Sequence, residues 1–254
     1  MSGATLVVPC YNEAARLDGA ALIALCDARA DLRLVLVDDG STDGTLAVLR
    51  AIGAQRPAQV AVLDLPSNAG KAEAVRQGLL AALAGPAETV GFFDADLSTP
   101  GSEVLRLVAI AEERRVDVVM GARVALLGAD IQRRVARHYL GRIFATLVSM
   151  LLDLRVYDTQ CGAKVFRRSP SLAAALETPF RSRWSFDVEL LGRLLTGTPS
   201  VPPLTAADFV EVPLGRWHDV PGSKLRPAAM VGMLRELAII RSDLEARRRA
   251  AAGR

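Results

Sequence analysis

The stretch LVLVDDGSTDGTLAVLRAI, residues 34–52, joins the apolar run Leu34–Val37 to a helical pattern at Gly44–Ile52 through a polar turn. Similar apolar runs recur along the first half of the chain, and longer stretches between them have apolar residues at a spacing of three to four. This alternation predicts an α/β fold with a mostly parallel sheet and helices on both faces. The other predicted strands are Thr5–Pro9, Val60–Leu65, Thr89–Phe93 and Val116–Met120, and the other predicted helices are Ala14–Ala28, Lys71–Ala84 and Ser102–Arg114.

Polar clusters follow three of the predicted strands. The clusters are Tyr11–Glu13, Asp38–Ser41 and Asp94–Asp96. Because the ligands of open α/β sheets bind outside the carboxyl ends of the strands, polar residues at these positions are candidates for one shared site. The sequence therefore predicts a functional site at this edge of the sheet.

The second half of the chain is less regular. Residues 130–152 are predicted to form one long helix that is basic at its start and apolar toward its end. A polar link, Asp158–Gly162, leads to a short predicted strand at Lys164–Phe166. The remaining predicted elements are a helix at Phe186–Leu195, a strand at Phe209–Val212 and an amphipathic tail, Ala228–Arg249, that ends in three arginines.

Composition excludes several classes of protein. The chain has 254 residues, of which 51% are hydrophobic and 23% charged, which is ample for a packed core and rules out a mostly disordered chain. The longest apolar run, Ile143–Leu152, is shorter than the roughly 20 residues that span a bilayer, and the N-terminus does not have the pattern of a signal peptide. Three scattered cysteines form no disulfide framework. We therefore expect a reduced, cytoplasmic protein that is soluble or bound to a membrane surface.

Charge is unevenly distributed along the chain. Residues 1–122 carry 10 Lys/Arg against 16 Asp/Glu, whereas residues 123–168 carry 9 against 3. This asymmetry suggests two sites with different electrostatic tasks. A basic segment is also typical of nucleic-acid binders, but the sequence has no helix-turn-helix, zinc-finger or RNA-binding signature, so we expect no nucleic-acid partner.

The Asp94-x-Asp96 pair is the leading candidate for a metal site. Residues two apart in an extended backbone point the same way, so both carboxylates can face one cation. Hard oxygen ligands without a His or Cys cluster favour Mg²⁺ or Mn²⁺, held together with substrate phosphates. Aspartate is also common in solvated turns and at helix N-termini, so a structural role stays open for this pair.

Seven motifs lie in order between residues 4 and 227, and they are Val7–Glu13, Val37–Thr45, Asn68–Lys71, Asp94–Leu97, Asp158–Phe166, Trp184–Leu191 and Trp217–Lys224. Their order and composition resemble the family 2 nucleotide-sugar glycosyltransferases. The last three narrow the resemblance to dolichyl-phosphate β-glucosyltransferases and their bacterial polyprenyl-phosphate relatives. The resemblance implies a GT-A-type fold and an inverting transfer of sugar from a nucleoside diphosphate.

The resemblance also implies roles for individual residues in the donor site. Asp94 and Asp96 would hold the metal ion and the diphosphate, and Lys71 and Gln160 are further donor-site candidates. The residues implied around the nucleoside are Pro9, Tyr11, Glu13, Asp38 and Asp39. Residues 1–122 would then form the nucleotide-sugar half of a single domain, 1–227, with residues 123–227 as the acceptor half and 228–254 as a basic amphipathic helix.

The implied acceptor is a polyprenyl phosphate, and the expected donor is UDP-glucose. A lipid phosphate is already anionic near neutral pH, so the protein needs cations to aim it more than it needs a strong base. The basic segment supplies candidates, and the resemblance points to Arg123, Arg134, Arg137, Ser223 and Lys224. Arg123 is also a catalytic candidate, together with Asp94, Asp96 and Asp187.

Two other functions stay open. If the acceptor is a soluble hydroxyl compound, Asp187 becomes the candidate base. Alternatively, the chain is a non-catalytic protein that binds nucleotide sugars and transfers no sugar to any acceptor. Many of the dolichyl-phosphate and polyprenyl-phosphate glycosyltransferases carry a membrane anchor that is not seen in this sequence. Residues 130–152 and the Arg-tipped tail could instead lie on an anionic leaflet, although the apolar part of this helix could equally belong to the core and the tail could be solvated or form a dimer. The sequence leaves the oligomeric state open.

Overall fold

A computed structural model describes residues 3–132, 135–218 and 228–252. The strands are β1 (Ala4–Cys10), β2 (Leu32–Asp38), β3 (Val60–Asp64), β4 (Thr89–Phe92), β5 (Val118–Ala122), β6 (Asp130–Gln132), β7 (Lys164–Arg167), β8 (Phe209–Pro213) and β9 (Arg216–His218). The helices are α1 (Gly19–Ala28), α2 (Thr45–Gln55), α3 (Lys71–Ala84), α4 (Gly101–Arg114), α5 (Val135–Leu152), α6 (Pro170–Leu176), α7 (Phe186–Thr196) and α8 (Ala228–Ala252), with a 3₁₀ turn at Ala206–Asp208.

One seven-stranded sheet organises these elements, in the order β3-β2-β1-β4-β7-β5-β8. Its strands are parallel except for β7, which runs antiparallel between β4 and β5. Strands β6 and β9 form a separate parallel pair. The predicted mostly parallel α/β sheet is confirmed, and its parallel strands bring the carboxyl ends of β1, β2 and β4 to the same edge.

The sheet is buried on both faces by helices. Along β1, Leu6 and Val8 belong to one apolar cluster, which includes residues of α1, α2 and α4. Val7 belongs to the other cluster, with residues of α3, α5, α6, α7 and α8. This alternation follows from the two-residue period of a strand, which sends successive side chains to opposite faces. Helices on both faces are therefore confirmed as well.

The predicted helix at 130–152 is wrong at its start. Asp130 to Gln132 form β6, which pairs with β9, and the described helix begins at Val135. The amide of Asp130 donates to the carbonyl of Gly215 at 2.9 Å, and Ile131 packs against the core cluster of α1, α2 and α4. Pairing with a distant segment therefore overrides the local helical pattern.

The predicted helix at Ala14–Ala28 also starts too early. The chain first makes a turn in which the amides of Arg16 and Leu17 both donate to the carbonyl of Glu13. Asp18 then caps α1 by accepting from the amide of Ala21 at 2.9 Å. An N-cap side chain satisfies one of the free amides of the first turn, which fixes the helix start there.

Helix α8 is packed against the protein along part of its length. Leu237, Ile240 and Leu244 are buried and belong to the same cluster as α7. Gly192 of α7 permits this approach, because a Cβ there would lie 2.5 Å from a methyl carbon of Leu244. Across the described ranges, no helix has both the length and the apolar character that crossing a membrane requires.

Candidate active site

The polar clusters after β1 and β2 are joined by hydrogen bonds between their loops. The amide of Asn12 donates to Ser41 Oγ at 3.0 Å, and Asn12 Oδ1 accepts from the amide of Thr42 at 2.9 Å. The amide of Glu13 donates to Thr45 Oγ1 at 2.7 Å. Ser41 and Thr45 therefore hold the neighbouring loop in place, which the sequence alone did not reveal.

Asp38 and Asp39 are both buried at the end of β2 and both accept backbone hydrogen bonds. Asp38 Oδ2 accepts from the amide of Ser41 at 3.1 Å, and Asp39 accepts from the amides of Ala69 and Gly70 at 2.8 and 2.9 Å. Burial raises the pKa of Asp39 above its usual range, although these two amides oppose the rise. Asp38 Oδ1 is buried with no hydrogen-bond partner among the described atoms, so its capacity to accept a hydrogen bond is unused.

Three other nucleoside candidates lie near the same edge. Pro9 is within β1, and Tyr11 follows it with 44% of its surface exposed. Glu13 is buried and forms an ion pair with Arg16. The hydrogen bond to Glu13 raises the pKa of Arg16, and the charge of Asp96 adds to this effect. The carboxylate of Glu13 thus already has a cationic partner within the protein.

Asp94 lies between Lys71 and Gly162 at the end of β4. Its Oδ1 atom accepts a hydrogen bond from Lys71 Nζ. A Cβ at position 162 would lie only 2.0 Å from Asp94 Oδ2, so the carboxylate occupies space that only glycine leaves open. Asp96 Oδ1 accepts from the amide of Ser98 at 3.0 Å, which fixes the turn after the strand.

A buried ion pair extends this charged cluster into the protein. Lys164 Nζ lies 3.1 Å from Asp187 Oδ1, and both side chains are buried. Lys164 also donates to the carbonyl of Cys161 at 2.6 Å and lies 5.5 Å from the ring centre of Phe92. Burial raises the pKa of Asp187, and the positive charges of Lys164 and Lys71 only partly oppose it.

Lys71, Asp94, Asp187 and Lys164 interact electrostatically as a group of alternating charges. Desolvation lowers the pKa of Lys71, but the carboxylates of Asp94 and Asp187 outweigh it and leave the pKa above its ordinary value. The ammonium group of Lys71 is therefore charged at neutral pH. Shifted pKa values of this kind are common in active sites, where neighbouring charges adjust the protonation states that the chemistry requires.

The chemistry of Asp94 and Asp96 fits a divalent cation. In the part of the chain that the structure describes, no group of three or more His, Cys, Asp or Glu side chains could enclose a metal ion. Mg²⁺ and ions like it are usually bound by one or two carboxylates and the phosphates of the substrate, so two carboxylates are enough. Asp94 is 32% exposed, which leaves its carboxylate accessible.

Arg123 is held by a carboxylate after β5. Its Nε and Nη2 atoms bond Asp158 at 2.6 and 2.8 Å, and its guanidinium carbon lies 5.3 Å from the ring centre of Trp217. Glu211 fixes this loop by accepting from the amides of Tyr157 and Asp158, the latter at 2.6 Å. Desolvation lowers the pKa of Arg123, but Asp158 outweighs it, so the pKa is raised and the charge is permanent.

The other acceptor candidates are only partly described. Arg134, Ser223 and Lys224 lie outside the described residues, and Arg137 lies in α5 with a side chain that is not described. Gln160 is in the loop beside Gly162, where its amide donates to Asp158 Oδ1 at 3.2 Å. The structure thus brings Lys71, Asp94 and Asp187 together and places Arg123 and Gln160 on adjoining loops.

Lys164 and Gly162 are site residues that sequence reasoning missed. Lys164 begins a strand whose other members are largely buried, and its spacing of two from Phe166 puts both on one face. A lysine on the apolar face of a strand is a signal for a buried acidic partner. No sequence pattern indicated Gly162. A glycine is required there because the carboxylate of Asp94 lies against it, and Asp94 is 68 positions earlier in the sequence.

Comparison with known proteins gives concordant matches. The sequence model of Glycosyl transferase family 2 matches residues 5–172. Dolichyl-phosphate beta-glucosyltransferase from Saccharomyces cerevisiae is 31% identical over 263 residues, covering 93% of this chain and 73% of that protein. The protein of the same name from Drosophila melanogaster is 33% identical, covering 88% and 69%.

The fold is shared with solved structures. Glucosyl-3-phosphoglycerate synthase from Mycobacterium tuberculosis, crystallised with Mn²⁺, UDP and glucosyl-3-phosphoglycerate, superimposes with a TM-score of 0.67. The match covers 96% of this chain and 80% of that one at 20% sequence identity. This likeness confirms the expected GT-A-type fold.

Proposed function

The chain belongs to glycosyl transferase family 2 and is a glycosyltransferase, and we propose that it transfers glucose from UDP-glucose to a polyprenyl phosphate with inversion at the sugar carbon. One observation carries this proposal. Asp94 and Asp96 follow β4, and Asp94 pairs with Lys71, in a chain about 30% identical over most of its length to dolichyl-phosphate β-glucosyltransferases.

In this proposal residues 1–122 bind the donor. Pro9, Tyr11, Glu13, Asp38 and Asp39 surround the nucleoside, because they lie at the carboxyl ends of β1 and β2. The unpartnered Oδ1 atom of Asp38 would accept a hydrogen bond from the nucleoside. UDP in the solved synthase of the same fold supports uridine as the base.

The diphosphate would lie beside Asp94, Asp96, Lys71 and Gln160. Asp94 and Asp96 would bind Mg²⁺ or Mn²⁺, which stabilises the negative charge that the leaving nucleoside diphosphate gains. The Mn²⁺ in the solved synthase supports a divalent ion here. Lys71 contributes a fixed positive charge at the same place, and its ion pair with Asp94 holds that carboxylate in position.

Residues 123–227 would bind the acceptor phosphate. Arg123 is the described member of the proposed group, which also includes Arg134, Arg137, Ser223 and Lys224. A guanidinium has five N–H donors, and Asp158 takes two of them, so Arg123 can hold this carboxylate and a phosphate together. The ion pair also preorganises the guanidinium, which reduces the entropy lost on binding.

Asp187 decides between this function and a second candidate. A phosphate acceptor is already ionised and needs no base, so Asp187 would orient a sugar hydroxyl group and balance the charge of Lys164. A hydroxyl acceptor needs a base, and burial has raised the pKa of Asp187 toward the range suited to that task. Transfer to a soluble hydroxyl compound is therefore the second candidate function.

A lipid acceptor also requires contact with a membrane, which we place on α5. Ile143, Leu147 and Met150 are spaced four and three residues apart, so they share one side of this helix. All three are exposed, Met150 by 76%. We propose that this apolar side contacts the cytoplasmic face of a membrane, with the basic segment 123–168 attracted to anionic lipids.

The test measures transfer of labelled glucose from UDP-glucose into solvent-extractable lipid, with a polyprenyl monophosphate and Mg²⁺ or Mn²⁺. We expect metal-dependent labelling that Asp96→Ala reduces by at least about 100-fold, because the diphosphate loses a metal ligand. Asp64→Asn is the matched control, since Asp64 also ends a strand but pairs only with exposed Arg50 in the described structure. Unlabelled lipid would contradict the proposed acceptor.

Asp187→Asn separates the two candidate functions. With a polyprenyl phosphate, we expect this variant to lose stability, because Lys164 loses its buried partner, but the folded protein should stay within about tenfold of wild-type turnover, because no proton must be removed from the acceptor. With a hydroxyl acceptor, loss of a general base would cost about 100-fold to 10,000-fold. Transfer to glucose-accepting compounds in a cell extract, with none to lipid and a strict need for Asp187, would establish the second function instead.

A further inference from the structure

The loop from Arg181 to Ser185, before α7, is held by two carboxylates on different helices. Glu189 of α7 is fully buried and accepts from the amides of Arg181 and Ser182 at 2.9 and 2.8 Å. Arg193 neutralises Glu189 through an ion pair of 2.7 Å. Glu189 and Arg193 both lie in α7, so the helix that directly follows the loop fixes its first part.

The other half of the support comes from α8. Glu236 accepts from Ser182 Oγ at 2.7 Å and from the amide of Ser185 at 2.8 Å. Its oxygens also lie 3.3 Å from the amide of Trp184. Charge-assisted hydrogen bonds from one side chain to three successive parts of a loop restrict the backbone strongly. Glu236 therefore fixes the loop between Ser182 and Ser185.

The loop places Arg183 at the donor side of the site. Its guanidinium lies 3.2 to 3.7 Å from the position that a Cβ would take at Gly70. Gly70 precedes Lys71 and donates its amide to Asp39. Burial raises the pKa of Asp39, and the charge of Arg183 is among the effects that oppose this rise. Arg183 thus lies within electrostatic reach of the proposed nucleotide site.

Arg183 differs from its neighbour Arg181 in one respect. Arg181 forms an ion pair of 3.1 Å with Asp243 of α8, whereas Arg183 is exposed and forms no ion pair among the described residues. Loops that a rigid scaffold holds in place carry a disproportionate share of binding residues, and Arg183 lies on such a loop. An arginine fork matches the oxygens of a phosphate.

From this arrangement we propose that α8 controls donor affinity: Glu236 is a positioning residue that holds Arg183 where it binds the nucleoside diphosphate of the donor. The proposal rests on the proposed function for its donor class. Helix α8 can fulfil this role because Leu237, Ile240 and Leu244 anchor it in the core directly after Glu236. The C-terminal helix thereby becomes part of the donor site.

The test measures binding of UDP and of GDP by calorimetry, in the presence of Mg²⁺, and continues with whichever binds the wild type more tightly. We expect Arg183→Ala to weaken binding about tenfold or more, which is the usual loss for a hydrogen bond to a charged group. Glu236→Ala should weaken it by a similar factor. The double variant should bind no more weakly than Arg183→Ala alone, because both substitutions remove the same contact.

Two further variants separate positioning from a general loss of structure. Arg181→Ala removes a cation from the same loop but on the side of α8, so nucleotide affinity should stay within about twofold of the wild type. Glu236→Gln keeps an oxygen that can accept from the loop amides, so it should recover part of the affinity that Glu236→Ala loses. A structural defect alone would lower the folded fraction and leave the affinity of the folded protein unchanged.

Three outcomes would overturn the proposal. If Arg183→Ala binds the nucleotide as the wild type does, Arg183 is not a donor ligand. If Arg183→Ala weakens binding while Glu236→Ala does not, or if their effects add, α8 does not act through Arg183. Nucleotide binding without transfer to polyprenyl phosphate would instead refute the proposed acceptor and leave this inference standing, because calorimetry needs no acceptor.

Discussion

Asp94 owes its position to a residue that has no side chain. The carboxylate occupies the space beside Gly162 where any Cβ would lie, and Lys71 bonds it from the other side. A carboxylate held between a glycine and a lysine cannot move away without losing both contacts. Preorganisation of this kind lets a group bind its target without paying to be ordered first.

Gly162→Ala should therefore disable the enzyme while the chain still folds. The new methyl group would be 2.0 Å from Asp94 Oδ2, so this carboxylate must shift by about 1 Å or more, and shifts of that size can cost about 100-fold in rate. The measurement is kcat/KM for UDP-glucose, with circular dichroism to verify folding.

Gly53→Ala is the control for this glycine. Gly53 lies in α2, where a Cβ would meet a methyl group of Val62 at an ordinary 3.4 Å. We expect normal turnover and a small gain in stability, since alanine is favoured over glycine in helices by up to about 1 kcal/mol. Full activity of the Gly162→Ala variant would show that Asp94 is not needed at its observed position.

At the scale of elements, α7 and α8 approach each other closely where Gly192 of α7 meets Leu244 of α8. Gly192 faces Leu244, which is buried. Leu244→Ala should lower the free energy of unfolding by about 2–5 kcal/mol, because it removes a buried side chain and leaves a cavity. Adding Gly192→Ala should restore part of this loss, since its methyl group would enter the space that Leu244 vacates. Urea denaturation of both variants measures the effect.

Leu234→Ala supplies the control on the same helix. Leu234 is 52% exposed, so its truncation should change the unfolding free energy by no more than about 0.5 kcal/mol. In the wild-type background, Gly192→Ala alone should be destabilising, because the Leu244 methyl carbon lies 2.5 Å from the new Cβ. Additive effects of Gly192→Ala and Leu244→Ala would contradict this account of the contact.

The sequence predicted elements well where local pattern and tertiary packing agree. Lys71–Ala84 is the helix that periodicity predicted, residue for residue, and the Leu34–Val37 strand was found with its ends extended to Leu32–Asp38. Strand β6 was missed because three residues carry no period, and its partner, β9, lies some 80 residues further on. Helix α6 was also missed, since its seven residues are too few for a clear amphipathic pattern.

The candidate site was also predictable only where local sequence pattern determines the position of a residue. Asp94 and Asp96 follow a strand directly, so their place at the edge of the sheet could be inferred from sequence. The pairing of Asp187 with Lys164, or of Arg123 with Asp158, depends on which strands become neighbours. The strand order depends on β7, which lies antiparallel between β4 and β5, and no local sequence pattern predicts this position.

Over the whole molecule, β7 ties the proposed acceptor half to the donor half. This strand belongs to residues 123–227, yet it lies between β4 and β5 of residues 1–122. It carries Lys164 into the cluster that contains Asp94, so the charges that would meet donor and acceptor share one rigid sheet. The fold itself would then hold the two reactants in the right orientation. Such alignment accounts for much of the rate that an enzyme gains over the same reaction in solution.

The charge distribution and the exposed side of α5 together predict how the molecule meets a lipid surface. We expect the protein to bind vesicles that contain anionic lipid, and to bind them less as salt is raised, because the basic segment 123–168 is screened by ions. Replacing Ile143 and Met150 by serine should weaken binding by about 30-fold, since each of the two side chains contributes about 1 kcal/mol when its exposed part is buried. Vesicle sedimentation measures both effects.

Leu234→Ser is the matched control for Ile143→Ser alone, because these apolar side chains are 52% and 54% exposed but Leu234 lies in α8 instead of α5. Its vesicle affinity should equal that of the wild type if α5 alone faces the lipid. Equal losses in both variants would indicate unspecific apolar adsorption, and binding that ignores both salt and these substitutions would exclude the proposed surface. In that case transfer to a water-soluble acceptor, with Asp187 as its base, becomes the better account of the same active site.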